Sequence, residues 1–180
     1  MTETDSPFSR PLVVATVPPE GVDVDIVADA VERAALAALN DAPEIERLEA
    51  RLHARPFGVA GIEVTGRISA EVVRICVVSL EPFPTEVDET ISVRFVPAEA
   101  LPQGQPGEEI ELPENDLPDP YVNGVIDLGA VVSEFLTLGL DPYPRKPGAA
   151  LPADAGDREG GSPFAALSRL KAADSDDSSA

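Results

Sequence analysis

GIEVTGRISAEVVRICVVSLEPFPTEVDETISVRFV, residues 61–96, carries an apolar side chain at nearly every second position. Ile62, Val64, Gly66 and Ile68 open the series, Val72, Cys76, Val78 and Leu80 continue it, and Val87, Ile91, Val93 and Phe95 close it. A repeat of two puts such side chains on one face of a pleated sheet, the pattern of antiparallel strands with a single buried side. Around residues 72–78 the opposite face turns apolar as well, through Val73, Ile75 and Val77, which predicts a mid-sheet segment covered on both sides. Bends or bulges are expected at Gly66 and at Ser69-Ala70. Glu81-Pro82-Phe83-Pro84 is expected to turn the chain into the next strand. This meander is the predicted core.

Upstream, residues 10–17 (RPLVVATV) form a β-branched run ended by Pro18-Pro19, which reads as an edge strand. Residues 26–39 (IVADAVERAALAAL) read as a helix with Val27, Val31, Ala34, Ala35 and Ala38 on its apolar stripe. Asp23 or Asp25 is the expected N-cap, and Glu32 and Arg33 are placed on the solvated side. In residues 44–54, Leu48, Ala50 and Leu52 alternate with Glu49, Arg51 and His53. That alternation predicts a strand turning through Pro56-Phe57-Gly58 into the meander.

Downstream, residues 98–120 hold several prolines and seven acids without a base, an exposed loop with at most a short strand at 109–112. Within residues 121–140, Asp127 is the expected cap of a second helix, with Leu128, Val131, Val132, Phe135 and Leu138 at three- and four-residue steps and Gly139 at its end. Residues 141–148, DPYPRKPG, cannot continue it. The prediction is an α+β domain over residues 10–148, an antiparallel sheet of about five strands packed by two helices. Residues 1–9 read as a tail. Residues 149–180 read as a linker and disordered acidic tail holding a short helical island at 163–172.

Charge and chemistry narrow the function classes. With 33 acids against 13 Lys and Arg, the formal net charge is −20. Such a chain repels phosphate backbones and anionic membranes; its charge serves solubility or, as the sharper alternative, meets a basic partner. No apolar run approaches the ~20 residues needed to span a bilayer. The single Cys76 forbids an internal disulfide, so a cytoplasmic protein is expected. One Cys and one His do not build a zinc site. Cys76 paired with His53 would make a nucleophile and base, but Cys76 reads as a small buried strand residue and His53 as a rim residue near a turn. No phosphate-cradling glycine loop is present. A non-enzyme without cofactor or metal is expected.

Two segments invite binding. In DPYPRKPG the side chains of Tyr143, Arg145 and Lys146 project from a backbone stiffened by Pro142, Pro144 and Pro147 and ended by Gly148. A stiff extended segment loses little entropy on docking; the alternative is that it only stops the helix. The island around Phe164 and Leu167 docks either on its own domain or on a partner, or is an idle amphipathic tail.

Taken together, ERAALA (residues 32–37), IEVTGRISAEVVRICVVSLEPF (62–83), an acidic spacer, VIDLGAVVSEFLTLGLDPYPRKPG (125–148) and PFAALSRLK (163–171) resemble the YceD family in its alphaproteobacterial form. Members are described as large ribosomal RNA subunit accumulation proteins needed for normal 23S rRNA levels. The resemblance implies a role in 23S rRNA accumulation or large-subunit assembly. Many relatives carry Cys-x-x-Cys where this chain has Cys76-Val77-Val78-Ser79, and further cysteines near the C-terminus. Their absence here means that no metal role carries over. Charge favours contact with a basic ribosomal protein or assembly factor. Direct rRNA binding through Arg145, Lys146, Arg67, Arg74 and Arg94 ranks second, and an adaptor or chaperone-like module unrelated to ribosomes remains an alternative. An RNA-processing hydrolase using Asp127 and Glu134 ranks last.

Overall fold

The computed structural model describes residues 8–101 and 117–150. The chain runs through β1 (Pro11–Val13), β2 (Val22–Val27), α1 (Ala30–Leu39), β3 (Glu44–Phe57), β4 (Gly61–Ile75) and β5 (Pro82–Pro97). It continues with β6 (Asp119–Tyr121), β7 (Val125–Asp127) and α2 (Leu128–Gly139). The main sheet has the order β2-β3-β4-β5-β6, and β1 pairs with β7 in a separate two-stranded ribbon. The α+β reading stands, but the sheet is mixed: β6 runs parallel to β5, pairing Phe95 with Asp119 and Pro97 with Tyr121.

Alternation decides which way each strand faces. Ala50 lies opposite Ile68, Ala54 opposite Val64, and Ile62 opposite Phe95, so the apolar members of β3, β4 and β5 share one side. Both helices cover that side, α1 over β3 and α2 over β4 and β5. Leu36, Leu48, Ile68, Ile91, Leu128 and Leu136 are fully buried between the layers. The helices also touch end to end, where the Thr137 hydroxyl donates to the Asn40 side-chain oxygen at 2.8 Å.

The opposite face has no helix among the described residues and carries a lattice of charges instead. Arg67 pairs with Asp88 at 2.9 Å and Arg47 with Glu71 at 3.1 Å. Glu63, only 7 % exposed, is clamped by Arg55 and Arg94. Those hydrogen bonds, Arg55's first and then Arg94's, hold its carboxyl below the ordinary carboxylate range. The expected cover over Val73, Ile75 and Val77 is therefore not found: Ile75 is 41 % and Val77 45 % exposed.

Several sequence expectations are corrected. Residues 22–27 (VDVDIV) are a strand, with Asp23 bonded to His53 at 2.7 Å in mid-β3, so neither Asp23 nor Asp25 caps a helix and His53 is not beside a turn. The cap of α1 is Asp29, which accepts from Val31 and Glu32, while the Glu32 carboxylate accepts from the Asp29 N–H, a reciprocal capping box. Glu32 also pairs with Arg10 at 2.7 Å, and Arg33 donates to the carbonyls of Ile45 and Ala28, so this pair is structural rather than solvated. β4 runs unbroken through Gly66 and Ser69-Ala70; a Cβ at Gly66 would lie 2.1 Å from the Arg51 carbonyl, so that glycine serves a close strand approach. The irregularity in the ladder falls at Ile45/Arg47 instead. Residues 10–17 supply only the three-residue β1, followed by a 3₁₀ turn. In the acidic loop, Ala98–Ala100 form a 3₁₀ turn and Asp119–Tyr121 a strand; the proposed strand at 109–112 and the island at 163–172 lie outside the described residues. Asp127 does cap α2, accepting from Gly129 and Ala130, and α2 does end at Gly139. No helix among the described residues is long and apolar enough to cross a membrane.

Candidate interaction site

β4 stops at Ile75 because the backbone of the next residues bonds inward to a single atom. Cys76, read from the sequence as a mid-strand residue, is the first residue of the β4–β5 turn and is fully buried. Its Sγ accepts from the backbone N–H groups of Val78 and Ser79 at 3.4 Å each. A third N–H arrives from Lys146 at 3.3 Å, seventy positions along the chain. The Cys76 N–H donates to the Glu81 carbonyl at 2.9 Å, and its carbonyl accepts from Leu80 at 2.9 Å. Ser79, through its hydroxyl and then its N–H, together with the N–H groups of Lys146 and Val78, outweighs burial and lowers the thiol to about 6. The sulfur is a hub for three backbone donors.

That hub is where the DPYPRKPG segment docks. The Val77 N–H donates to the Pro144 carbonyl at 3.0 Å, and Pro144 is buried. Lys146 Nζ meets Glu81 at 2.8 Å, a pairing that lowers the Glu81 carboxyl and raises the Lys146 ammonium. Arg74 donates to the Asp141 carbonyl at 3.2 Å, and Asp141 accepts from the Tyr143 N–H at 2.8 Å. Pro147 is exposed and Gly148 has φ 78°, the left-handed region that glycine adopts without strain.

The outward surface of this knuckle is apolar. Leu80 is 75 % exposed, Tyr143 72 % and Val77 45 %. Leu80 also holds φ 59°, a conformation that costs a non-glycine residue about 1–2 kcal/mol. Polar bonds inside and large apolar groups outside reverse the ordinary arrangement of a turn.

Of the sequence-predicted residues, Tyr143, Pro144, Arg145, Lys146, Pro147 and Gly148 are thus gathered on one platform. Tyr143 and Arg145 face solvent, and Pro144 and Lys146 are used to build the platform. Phe164 and Leu167 lie outside the described residues. The arginines ranked second do not assemble. Arg67 and Arg94 are ion-paired on the open face of the sheet, Arg94 also stacks over Phe57, and Arg74 is tied to Asp141. Sequence reasoning missed Cys76, Val77 and Leu80, whose only signal was the run of apolar residues that also suited a buried strand. Among the described residues no group of three His, Cys, Asp or Glu is placed to hold a metal.

Comparison with known proteins adds one positive finding. No curated protein and no solved structure matches the chain significantly. The sequence model described as "Large ribosomal RNA subunit accumulation protein YceD" matches residues 64–171, from within β4 through α2 and the whole knuckle to the segment around Phe164 and Leu167. With well over half of its residues inside that match, the chain belongs to the YceD family.

Proposed function

We propose that this protein is a non-catalytic accessory of 23S rRNA accumulation and large ribosomal subunit assembly. It works in the cytoplasm by binding a basic ribosomal protein or assembly factor. The family's role is the accumulation of large-subunit ribosomal RNA. The observation that carries the rest is the knuckle: Val77, Leu80 and Tyr143 are held outward on a backbone tied to one buried sulfur. A preorganised apolar patch loses little entropy on binding, and a net charge of −20 draws a cationic partner to it.

Sucrose-gradient fractionation of tagged full-length protein tests this. Wild type is expected to travel with large-subunit precursors, and a Leu80→Ala/Tyr143→Ala variant with an unchanged unfolding midpoint is expected to remain at the top. A variant that sediments like wild type would remove the knuckle from the reading. A second reading is direct rRNA contact, favoured by one observation: Arg145 is exposed near Tyr143, a cation and a stacking ring such as single-stranded RNA uses. Recovery of rRNA alone, persisting after ribosomal proteins are stripped away, would establish it over the first.

A further inference from the structure

A second exposed apolar feature lies away from the knuckle, at the other end of β5. Val93 and Phe95 of β5, Tyr121 of β6 and Val131 and Phe135 of α2 line a hollow of about 240 Å³ on the helix side of the sheet. Val122, 60 % exposed, forms part of its lining, and Asp119 and Glu134 add carboxylates. The hollow is apolar inside and acidic around, so its occupant needs apolar side chains and positive charge together.

We infer that this groove receives the chain's own segment PFAALSRLK, residues 163–171. Phe164 and Leu167 stand three residues apart, the spacing of one helical face, and Leu170 follows at the next step. Arg169 and Lys171 are two of the three basic residues beyond position 150, in a stretch otherwise rich in Asp. The family match takes in this segment and ends with it at residue 171, leaving the acidic ADSDDSSA outside. Length permits the contact. Residues 151–163, at ~3.3 Å each, reach about 40 Å. The direct separation along β5 from Phe83, beside the knuckle, to Phe95 at the groove is at most about 40 Å. The segment and the groove therefore complement each other in apolar character, charge and reach, and the inference stands independently of who binds the knuckle.

A nitroxide on Ser168→Cys in the full chain tests it, since the fully buried Cys76 is shielded from the reagent. Expected is loss of backbone amide signals from Tyr121, Val122 and Ala130, with those of Arg51 and Arg67 on the open face unchanged. Phe164→Ala/Leu167→Ala should restore the lost signals, as should Val122→Asp at the exposed rim, where unfolding is no concern. Arg169→Glu/Lys171→Glu should restore them in part. Signal loss spread evenly over the surface, or confined to another face, overturns the inference. So does loss seen only when spin-labelled and isotope-labelled chains are mixed, which would make the occupant a second copy. Persistence of the loss in Val122→Asp would also overturn it.

Discussion

The helix-covered side of the sheet and the knuckle at the β4–β5 turn solve opposite problems with the same residue types. Under the helices, Leu36, Ile68, Ile91 and Leu136 face inward and are held by burial alone. At the knuckle, Val77, Leu80 and Tyr143 face outward, and the backbone beneath them is held by hydrogen bonds to Cys76 Sγ, Pro144 and Glu81. Apolar side chains that stabilise a fold are enclosed by it; those left outside must be supported by something else. Here the support is polar, and it draws on residues seventy positions apart.

Truncations on the two sides should separate the roles most widely. Leu136→Ala empties space in a sealed layer and should cost about 2–5 kcal/mol by urea unfolding, whereas Tyr143→Ala should stay within about 0.5 kcal/mol and act only on sedimentation. A large stability loss from Tyr143→Ala would break the contrast. The cap of α2 comes next. Asp127 accepts from Gly129 and Ala130 and also from the Arg10 N–H at 2.7 Å, so Asp127→Ala should cost roughly 1–2 kcal/mol.

The sulfur hub should show itself through pH. The folded thiol sits at about 6 against an ordinary 9.0. Between those values the unfolded chain holds a proton that the folded chain has released, so this group's contribution grows as pH rises through the window and is lost as pH falls through about 6. Urea midpoints of wild type minus Cys76→Ser, measured in reductant, should therefore climb from pH 6 to 9; a flat difference would mean that the thiol is not a thiolate. The smallest effect is expected at Leu80. Leu80→Gly relieves the positive φ and should raise stability by at most about 1 kcal/mol while weakening partner binding. If both improve, the strain has no binding role.

Much of the architecture was legible because alternation is a strong signal where one face is buried. Residues 44–57 and 61–75 announce their inner sides through Leu48, Leu52, Val64 and Ile68, and Asp127 precedes a plain 3–4 pattern. The knuckle was not legible, since an apolar residue reads as buried whichever way it points. The two-residue period runs through Val72, Cys76, Val78 and Leu80 without marking the end of β4 at Ile75. What ends the strand is the set of bonds to Cys76 Sγ, and part of that set, the Lys146 N–H together with the Pro144 carbonyl that takes the Val77 N–H, lies in no local window. The true start of α1 was visible as Asp29 with Glu32 three positions on, but Asp23 and Asp25 passed for its cap and Ile26-Val27 for the opening of the helix. β6 and β7 are three residues each, too short for any period to emerge.

The β1–β7 ribbon bears on how the molecule is made. Pro11 lies opposite Asp127, and the Arg10 carbonyl accepts from Leu128, so the first strand has no partner until the last one exists. A nascent chain leaving the exit tunnel can zip its long hairpins early, yet its leading end must stay unclasped until residue 128 has emerged. Completion of this fold consequently waits on a long loop closure, between residues 10 and 128.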